Sequence, residues 1–251
     1  MIERFQLELK APEGVRVQQS YAYRLYGWLM EQLPPELGDA LHEQSEHPIS
    51  HQLRCLPEQQ TLVWTVNLLG EAACEQIGAV LRRTERIDLH GLTLEVTAVQ
   101  HHCVHSAVEL VHEGRAHSEN RAKITFVSPC TFKQNGRHVI FPQEALILQS
   151  LVMRWNSYCP ELALTDPDAM QALAQGLRIV DYSLHTARYP LKETRIQGFM
   201  GSVTIEAHLA LPLLELWNVL LCFAPYSGVG AKTTLGMGGA EVIFLQRNKN
   251  V

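Results

Sequence analysis

The 251-residue sequence has no excess of positive charge: 21 Lys and Arg stand against 26 Asp and Glu, a formal net charge of −5. That balance excludes the strongly basic whole chain that most simply marks a nucleic-acid binder. It leaves room for local basic patches, because phosphate contacts depend on where charges sit. None of the six cysteines (Cys55, Cys74, Cys103, Cys130, Cys159, Cys222) stands at a C-x-x-C spacing, which argues against a zinc ribbon or a thioredoxin-type site. Scattered thiols of this kind read as small buried hydrophobes in a reducing compartment. The first residues have no apolar signal-peptide core. The longest apolar run, Leu209–Ala224, is interrupted by Glu215 and falls short of the ~20 residues of a membrane span. The expectation is a soluble, cytoplasmic protein without membrane contact. No lysine occurs between Lys10 and Lys123.

Apolar residues are plentiful at 46%, against 19% charged, which excludes a disordered chain, and the length suits one large domain or two small ones. Phe5–Leu9 alternates as a half-buried strand. Tyr21, Leu25, Trp28, Leu29 and Leu33 form a helical stripe stopped by Pro34-Pro35. Strand patterns at Ser50–Leu56 and Leu62–Leu69 flank Pro57–Gln60, a helix follows over Glu71–Arg83, and Ile87–Leu89 and Thr93–Val99 flank a turn at His90-Gly91. Strand, helix, strand, strand, helix, strand is the ferredoxin-like split βαβ order. The polar stretch Glu113–Asn120 reads as a boundary. Beyond it come a strand at Ala122–Val127, a hairpin at Lys133–Phe141 around Asn135-Gly136, and a helix at Glu144–Trp155. After a polar insert at Pro160–Pro167 follow strands at Arg178–Ala187 and Thr194–Leu211, a helix at Leu213–Phe223 and a strand at Ala240–Leu245. The expected fold is α+β, with two tandem ferredoxin-like (βαββαβ, RRM-like) domains at 1–115 and 121–251.

The most unusual stretch is Tyr226–Gly239, where Gly228, Gly230, Gly236, Gly238 and Gly239 fall within twelve residues between a helix and the last strand. Glycine tolerates positive φ and has no Cβ, so such a loop is able to turn its N–H groups outward and let a phosphate approach. Lys232 adds charge, and Thr233 and Thr234 add hydroxyls, a combination that suits a phosphodiester backbone. A P-loop would need glycine where Ala231 precedes Lys232, and a dinucleotide fingerprint would open a helix rather than follow one. Val229, Leu235 and Met237, interleaved with the glycines, argue for a packed loop rather than a flexible linker.

The run Gly228–Gly238 resembles the C-terminal glycine-rich signature of the RAMP superfamily, most nearly that of the CRISPR-associated endoribonucleases that cut precursor CRISPR RNA within its repeats. Phe126–Phe132 resembles that family's strand-end Ser-Pro-Thr segment with Cys130 inserted. Gln197–Gly201 resembles its Gly-Phe-x-Gly strand, and Leu41-His42 followed by Pro48-Ile49-Ser50 resembles its catalytic region. The resemblance implies a cofactor-free, metal-independent ribonuclease. In it the RNA's own 2′-OH attacks the adjacent phosphate, leaving a 2′,3′-cyclic phosphate and a 5′-OH and generating guide RNAs. It also names CRISPR repeat RNA as partner, with effector-complex subunits and a second copy of the chain as further candidates. The alternative in the same superfamily is a non-catalytic RNA-binding subunit of a CRISPR ribonucleoprotein complex.

Histidine suits either proton role near neutral pH. His42, at the family's Leu-His position, is the expected general acid/base, with Tyr26 on the first helix (Tyr23 lies one turn before it) and His47 as further catalytic candidates. Glu43 and Glu46 would raise nearby imidazole pKa values. Some members also use a lysine near that tyrosine, which this sequence lacks; His47, His51, Arg54 or Lys232 from the other domain are the candidates to supply the charge. The expected RNA-binding residues are Gly228, Gly230, Lys232, Thr233, Thr234, Gly236 and Gly238, together with Lys123, Lys133, Arg137 and Arg195, on the expectation that the basic residues converge on the groove between domains. His101-His102-Cys103-Val104-His105 lies on a strand, where alternate residues face opposite ways, so no metal site is expected.

Overall fold

The computed structural model describes residues 1–36, 38, 47–56 and 61–246. Alternation along β1 (Ile2–Lys10) buries Phe5, Leu7 and Leu9 on one face and turns Arg4, Gln6 and Glu8 to the other. There follow α1 (Tyr21–Glu31), β2 (Ile49–Leu56), β3 (Thr61–Leu69), α2 (Glu71–Arg83), and a hairpin of β4 (Arg86–Asp88) and β5 (Thr93–Val104). The strands join antiparallel in the order β2-β3-β1-β5-β4. This is the split βαβ arrangement with its last strand widened into a hairpin. Ala22, Leu25 and Leu29 of α1 and Cys74, Ile77 and Leu81 of α2 close over Phe5, Leu53, Trp64 and Val66. Glu71 in the first turn of α2 and Arg82 and Arg83 in its last follow the charge order that the helix dipole favours.

The second half runs α3 (Ala107–Ala116), β6 (Arg121–Cys130), a hairpin of β7 (Phe132–Gln134) and β8 (Arg137–Val139), α4 (Glu144–Tyr158), α5 (Pro167–Gly176), β9 (Leu177–Leu191), β10 (Thr194–Ala207), α6 (Leu211–Ser227), a 3₁₀ turn at Thr233–Leu235 and β11 (Ala240–Phe244). Its sheet order, β11-β6-β10-β9, repeats the topology of the first, with Phe126, Phe199, Trp155, Trp217 and Phe223 in the core. The molecule is α+β, with two tandem ferredoxin-like folds.

Two helices occupy stretches to which the sequence pattern gives no element, overlapping the boundary at Glu113–Asn120 and the end of the insert at Pro160–Pro167. Residues 113–116 form the last turn of α3, which lies close against α6: a Cβ at Gly114 would meet the Val219 backbone nitrogen at 2.5 Å. Asp166 caps α5, its side chain accepting from the Asp168 and Ala169 amides at 2.9 and 3.1 Å, with Pro167 in the first turn where its missing N–H costs nothing. The strand expected to reach Leu211 ends at Ala207, because α6 begins at Leu211. The connection at Pro57–Gln60 lies outside the described residues.

The halves meet at the end of α6. Carbonyls in the last turn of a helix have no intrahelical partner. Those of Pro225 and Tyr226 accept from Asn67 Nδ2 (3.3 Å) and Ser50 Oγ (2.6 Å) on the first sheet. Asn67 Nδ2 also donates to Ser50 Oγ (2.9 Å), its Oδ1 accepts from Arg4 Nε (2.8 Å), and the Arg4 guanidinium lies 4.3 Å from the Tyr226 ring centre. This buried polar chain holds one half's helix against the other half's sheet. Among the described residues no helix is long and apolar enough to cross a membrane. All six cysteines are free; Cys74, Cys130, Cys159 and Cys222 are buried, and Cys55 and Cys103 are half-buried.

Candidate functional site

The glycine-rich bend is tied down along both limbs. Gly228 closes α6, its N–H donating to the Ala224 carbonyl at 3.0 Å. Val229 N–H donates to Gly238 O (2.8 Å), Gly238 N–H to Pro129 O (2.9 Å) and Ala231 N–H to Thr131 O (2.8 Å). Gly230 and Gly239 donate to the hydroxyls of Ser150 and Ser128, each at 2.8 Å. These amides face the protein, which corrects the expectation of a loop with its N–H groups turned outward: buried amides need partners, and the end of β6 and α4 supply them. Thr233 is likewise committed inward, 1% exposed, its hydroxyl accepting from the Arg154 guanidinium. Thr234 is buried too, whereas Lys232 is half-buried, its backbone left-handed at φ 63.

The tip of the bend is wedged against the first half. Gly236, at φ 93, sits where a Cβ would collide with Ala22 of α1 and come within 2.6 Å of the Tyr189 hydroxyl of β9. Tyr189 is buried and its hydroxyl donates to the Leu235 carbonyl at 2.5 Å. Beside it His51 of β2, 2% exposed, places Nε2 2.9 Å from the Thr234 carbonyl and Nδ1 3.3 Å from Trp64 Nε1. A carbonyl can only accept and the indole N–H can only donate, so the ring is the neutral Nε2–H tautomer. Burial pulls its pKa down to about 4, only partly offset by the bond to Thr234. Tyr26 stacks on this ring at 5.6 Å and 3° between planes. Its own hydroxyl is held above the ordinary tyrosine range by burial, so it is a neutral donor. His51, a candidate source of positive charge, is therefore uncharged at neutral pH and serves the joint between the halves. Arg54, another candidate, is paired with Glu241.

Next to this joint opens a cleft of about 760 Å³. Tyr23, Tyr26, Gly27 and Met30 of α1 form one wall, Leu191, Lys192, Glu193 and Thr194 of the β9–β10 turn the other, with Leu235 of the bend between them. Lys192, whose φ is 53, is a cation at this cleft; the sequence shows it as one of four basic residues between 178 and 195, but not its place beside α1, because it arrives from the other half. His47 is half-buried just before β2. His42, Glu43 and Glu46 lie outside the described residues.

The register of β10 on β6 sorts the basic residues. Phe199 opposes Cys130, so Arg195 lies beyond the end of β6, at the same end of the sheet as the β7–β8 hairpin that carries Lys133 and Arg137. All three are exposed, and the bend is bonded to that same end. Lys123 is exposed near the other end of β6, roughly 20 Å away at 3.3 Å per residue. Lys123 therefore lies apart from the other three, so the four do not come together at one place as expected. The groove between the sheets, about 230 Å³, is lined by Arg4 and Arg54 with Glu8, Glu241 and several glutamines. Arg82 is likewise engaged, on the buried Glu3 carboxylate at 3.3 Å. Among the described residues no group of three His, Cys, Asp or Glu side chains is arranged to hold a metal; His101 instead stacks on Phe5 and approaches Glu3 at 3.4 Å.

The model of the family described as CRISPR-associated endoribonuclease Cas6 matches residues 124–240. The chain is 30% identical over 229 residues to a CRISPR-associated endoribonuclease Cas6 of Streptococcus thermophilus, covering 89% of this chain and 92% of the relative. A solved Cas6 product complex superposes with a TM-score of 0.81 at 23% identity, covering 97% of this chain and all of that one. Thermus thermophilus Cas6 does so with 0.75 at 25%, covering 97% and 98%. With that identity held over nearly the whole of both chains, the chain belongs to the Cas6 family of CRISPR-associated endoribonucleases.

Proposed function

We propose that this endoribonuclease cuts precursor CRISPR RNA within its repeats, without a metal ion, to generate guide RNAs. The 2′-OH attacks the adjacent phosphorus, the 5′-oxygen departs, and the products carry a 2′,3′-cyclic phosphate and a 5′-OH. An internal nucleophile needs a base for the 2′-OH proton, an acid for the leaving oxygen and positive charge near the phosphorane, which are roles for side chains. On this reading residues 1–115 bring the catalytic region and 121–251 the grip on the strand. His42 is the general acid/base, Tyr26 is a neutral donor at the cleft, and His47 stands in the same segment. RNA runs over the end of the second sheet that carries Lys133, Arg137, Arg195 and the Lys232 side chain, with Lys123 contacting a more distant phosphate. The glycines Gly228, Gly230, Gly236 and Gly238, with Thr233 and Thr234, shape that grip from within rather than by direct contact.

One observation carries the reading: the bend seats on α1, the helix that leads into the His42 segment, while three exposed cations lie at the same end of the second sheet. The solved neighbours include a Cas6 product complex and a Cas6 substrate mimic complex, which supports it. The test is to incubate the purified chain with repeat RNA in excess EDTA and analyse the product ends. Cleavage with a cyclic phosphate is expected, and a loss of about 10²–10⁴-fold in His42→Ala. EDTA-abolished cleavage, 3′-OH ends, or a His42→Ala variant as fast as wild type would each refute it.

A further inference from the structure

We propose that the cleft between α1 and the β9–β10 turn is a slot for one unpaired nucleobase of the RNA, stacked against Tyr23 above Gly27. The inference rests on the ribonuclease reading for the identity of the polymer, and on the slot itself for the rest.

Gly27 is the first reason. It lies in the middle of α1, where glycine is the least favourable residue after proline. Its φ is not positive, and a Cβ built there meets nothing within 4 Å. Neither backbone conformation nor close packing therefore calls for glycine, in contrast to Gly114 and Gly236. What its missing side chain does is leave the floor of the cleft open. The composition of the wall is the second reason. Tyr23, Tyr26, Gly27 and Met30 fall at i, i+3, i+4 and i+7, one continuous helix face. A face turned to water would ordinarily carry charge. This one is apolar and aromatic, and Leu191 and Leu235 complete it from the other half. The volume of about 760 Å³ lies within the range of pockets that take small organic ligands.

The rim then selects the ligand. Lys192 donates and Glu193 accepts, and the Thr194 hydroxyl, whose proton goes to the Leu191 carbonyl at 2.9 Å, keeps its lone pairs to accept, so the turn offers the mixed donors and acceptors that read a base edge. A phosphate would want several cations and no carboxylate, and here one lysine stands beside one glutamate. An aromatic wall with a polar rim is instead the pattern by which single-stranded RNA is held, by stacking and edge contacts.

The experiment uses the full chain and a repeat RNA in which each nucleotide in turn is made abasic. Wild type should lose about 10- to 100-fold in affinity at one position, the size of a stacking contact. Gly27→Leu fills the slot with a better helix former, so it should melt at or above the wild-type temperature. It should bind intact RNA as weakly as wild type binds that one abasic RNA, with no further loss when the two changes are combined. Tyr23→Leu, which removes the stacking face and keeps an apolar side chain, should couple to the same nucleotide, and it decides the matter if Gly27→Leu melts low. The slot is disproved if Gly27→Leu binds intact RNA within threefold of wild type. It is also disproved if its loss multiplies with that of every abasic position, as it would for an apolar protein partner or a phosphate. Failure of wild type to cleave any repeat RNA would overturn the ribonuclease reading instead, while the binding cycle would still report on the slot.

Discussion

Acidification should weaken this protein through one buried ring. His51 takes up a proton near pH 6.5 when the chain is unfolded, but burial holds it to about 4 in the folded state. Below pH 6.5 the unfolded chain therefore binds a proton that the folded chain refuses. The stability contributed is fully present above that value and is lost as pH falls toward 4. At 1.36 kcal/mol per pH unit the loss is about 2 kcal/mol by pH 5 and about 3 kcal/mol by pH 4. The facing tyrosines do not interfere, since burial holds the Tyr26 and Tyr189 hydroxyls above their usual range and keeps them protonated throughout. Urea unfolding at pH 8, 6.5, 5 and 4 would measure the loss, with His51→Gln as reference because an amide can still donate to Thr234 O and does not titrate. The difference in stability between wild type and His51→Gln should shrink by about those amounts as pH falls. Parallel curves for the two proteins between pH 7 and 5 would show that the ring is not the neutral, buried donor described above.

Replacing Gly236 by Ala forces a Cβ into positive φ and against Ala22 and the Tyr189 hydroxyl. Strain and overpacking together should cost about 2–5 kcal/mol, read as a lower urea midpoint at unchanged slope; a change under 0.5 kcal/mol would show that the tip is not wedged there. For the exposed cations, Arg137→Ala or Arg195→Ala should weaken RNA binding by similar factors for all sequences and lower the log K against log salt slope by about 0.7 each. An unchanged slope would remove the residue from the RNA path.

Periodicity exposed most of the fold because most elements bury one clean face: Phe5, Leu7 and Leu9, or Leu25 and Leu29, are spaced as a strand or a helix demands. It hid α3, which buries only Leu110 and Gly114 and turns the rest of its surface to water. It also hid α5, although Asp166 before Pro167 is a helix-start signal. The glycine-rich bend was legible as a packed loop, yet the direction of its amides was not. Hydrogen-bond partners such as Ser128 and Ser150 lie about 110 and 80 residues away in sequence. His51 had a signal of its own: it falls in step with Ile49 and Leu53 on β2, so the strand period places it inside. Lys192 stood out only as one of four basic residues between 178 and 195, since only the folding of the second half onto the first brings the β9–β10 turn beside α1.

The seam between the halves also bears on how relatives exchange parts. Ser50 and Asn67 cap a helix that belongs to the other half, and any residue larger than glycine at 239 would overlap the Gln52 side chain. A chimera that takes its carboxyl-terminal half from another family member must therefore import the matching residues at 50, 52 and 67 as well. Without them the transplanted helix would end on bare carbonyls, and the graft would set the second sheet at the wrong angle to the first.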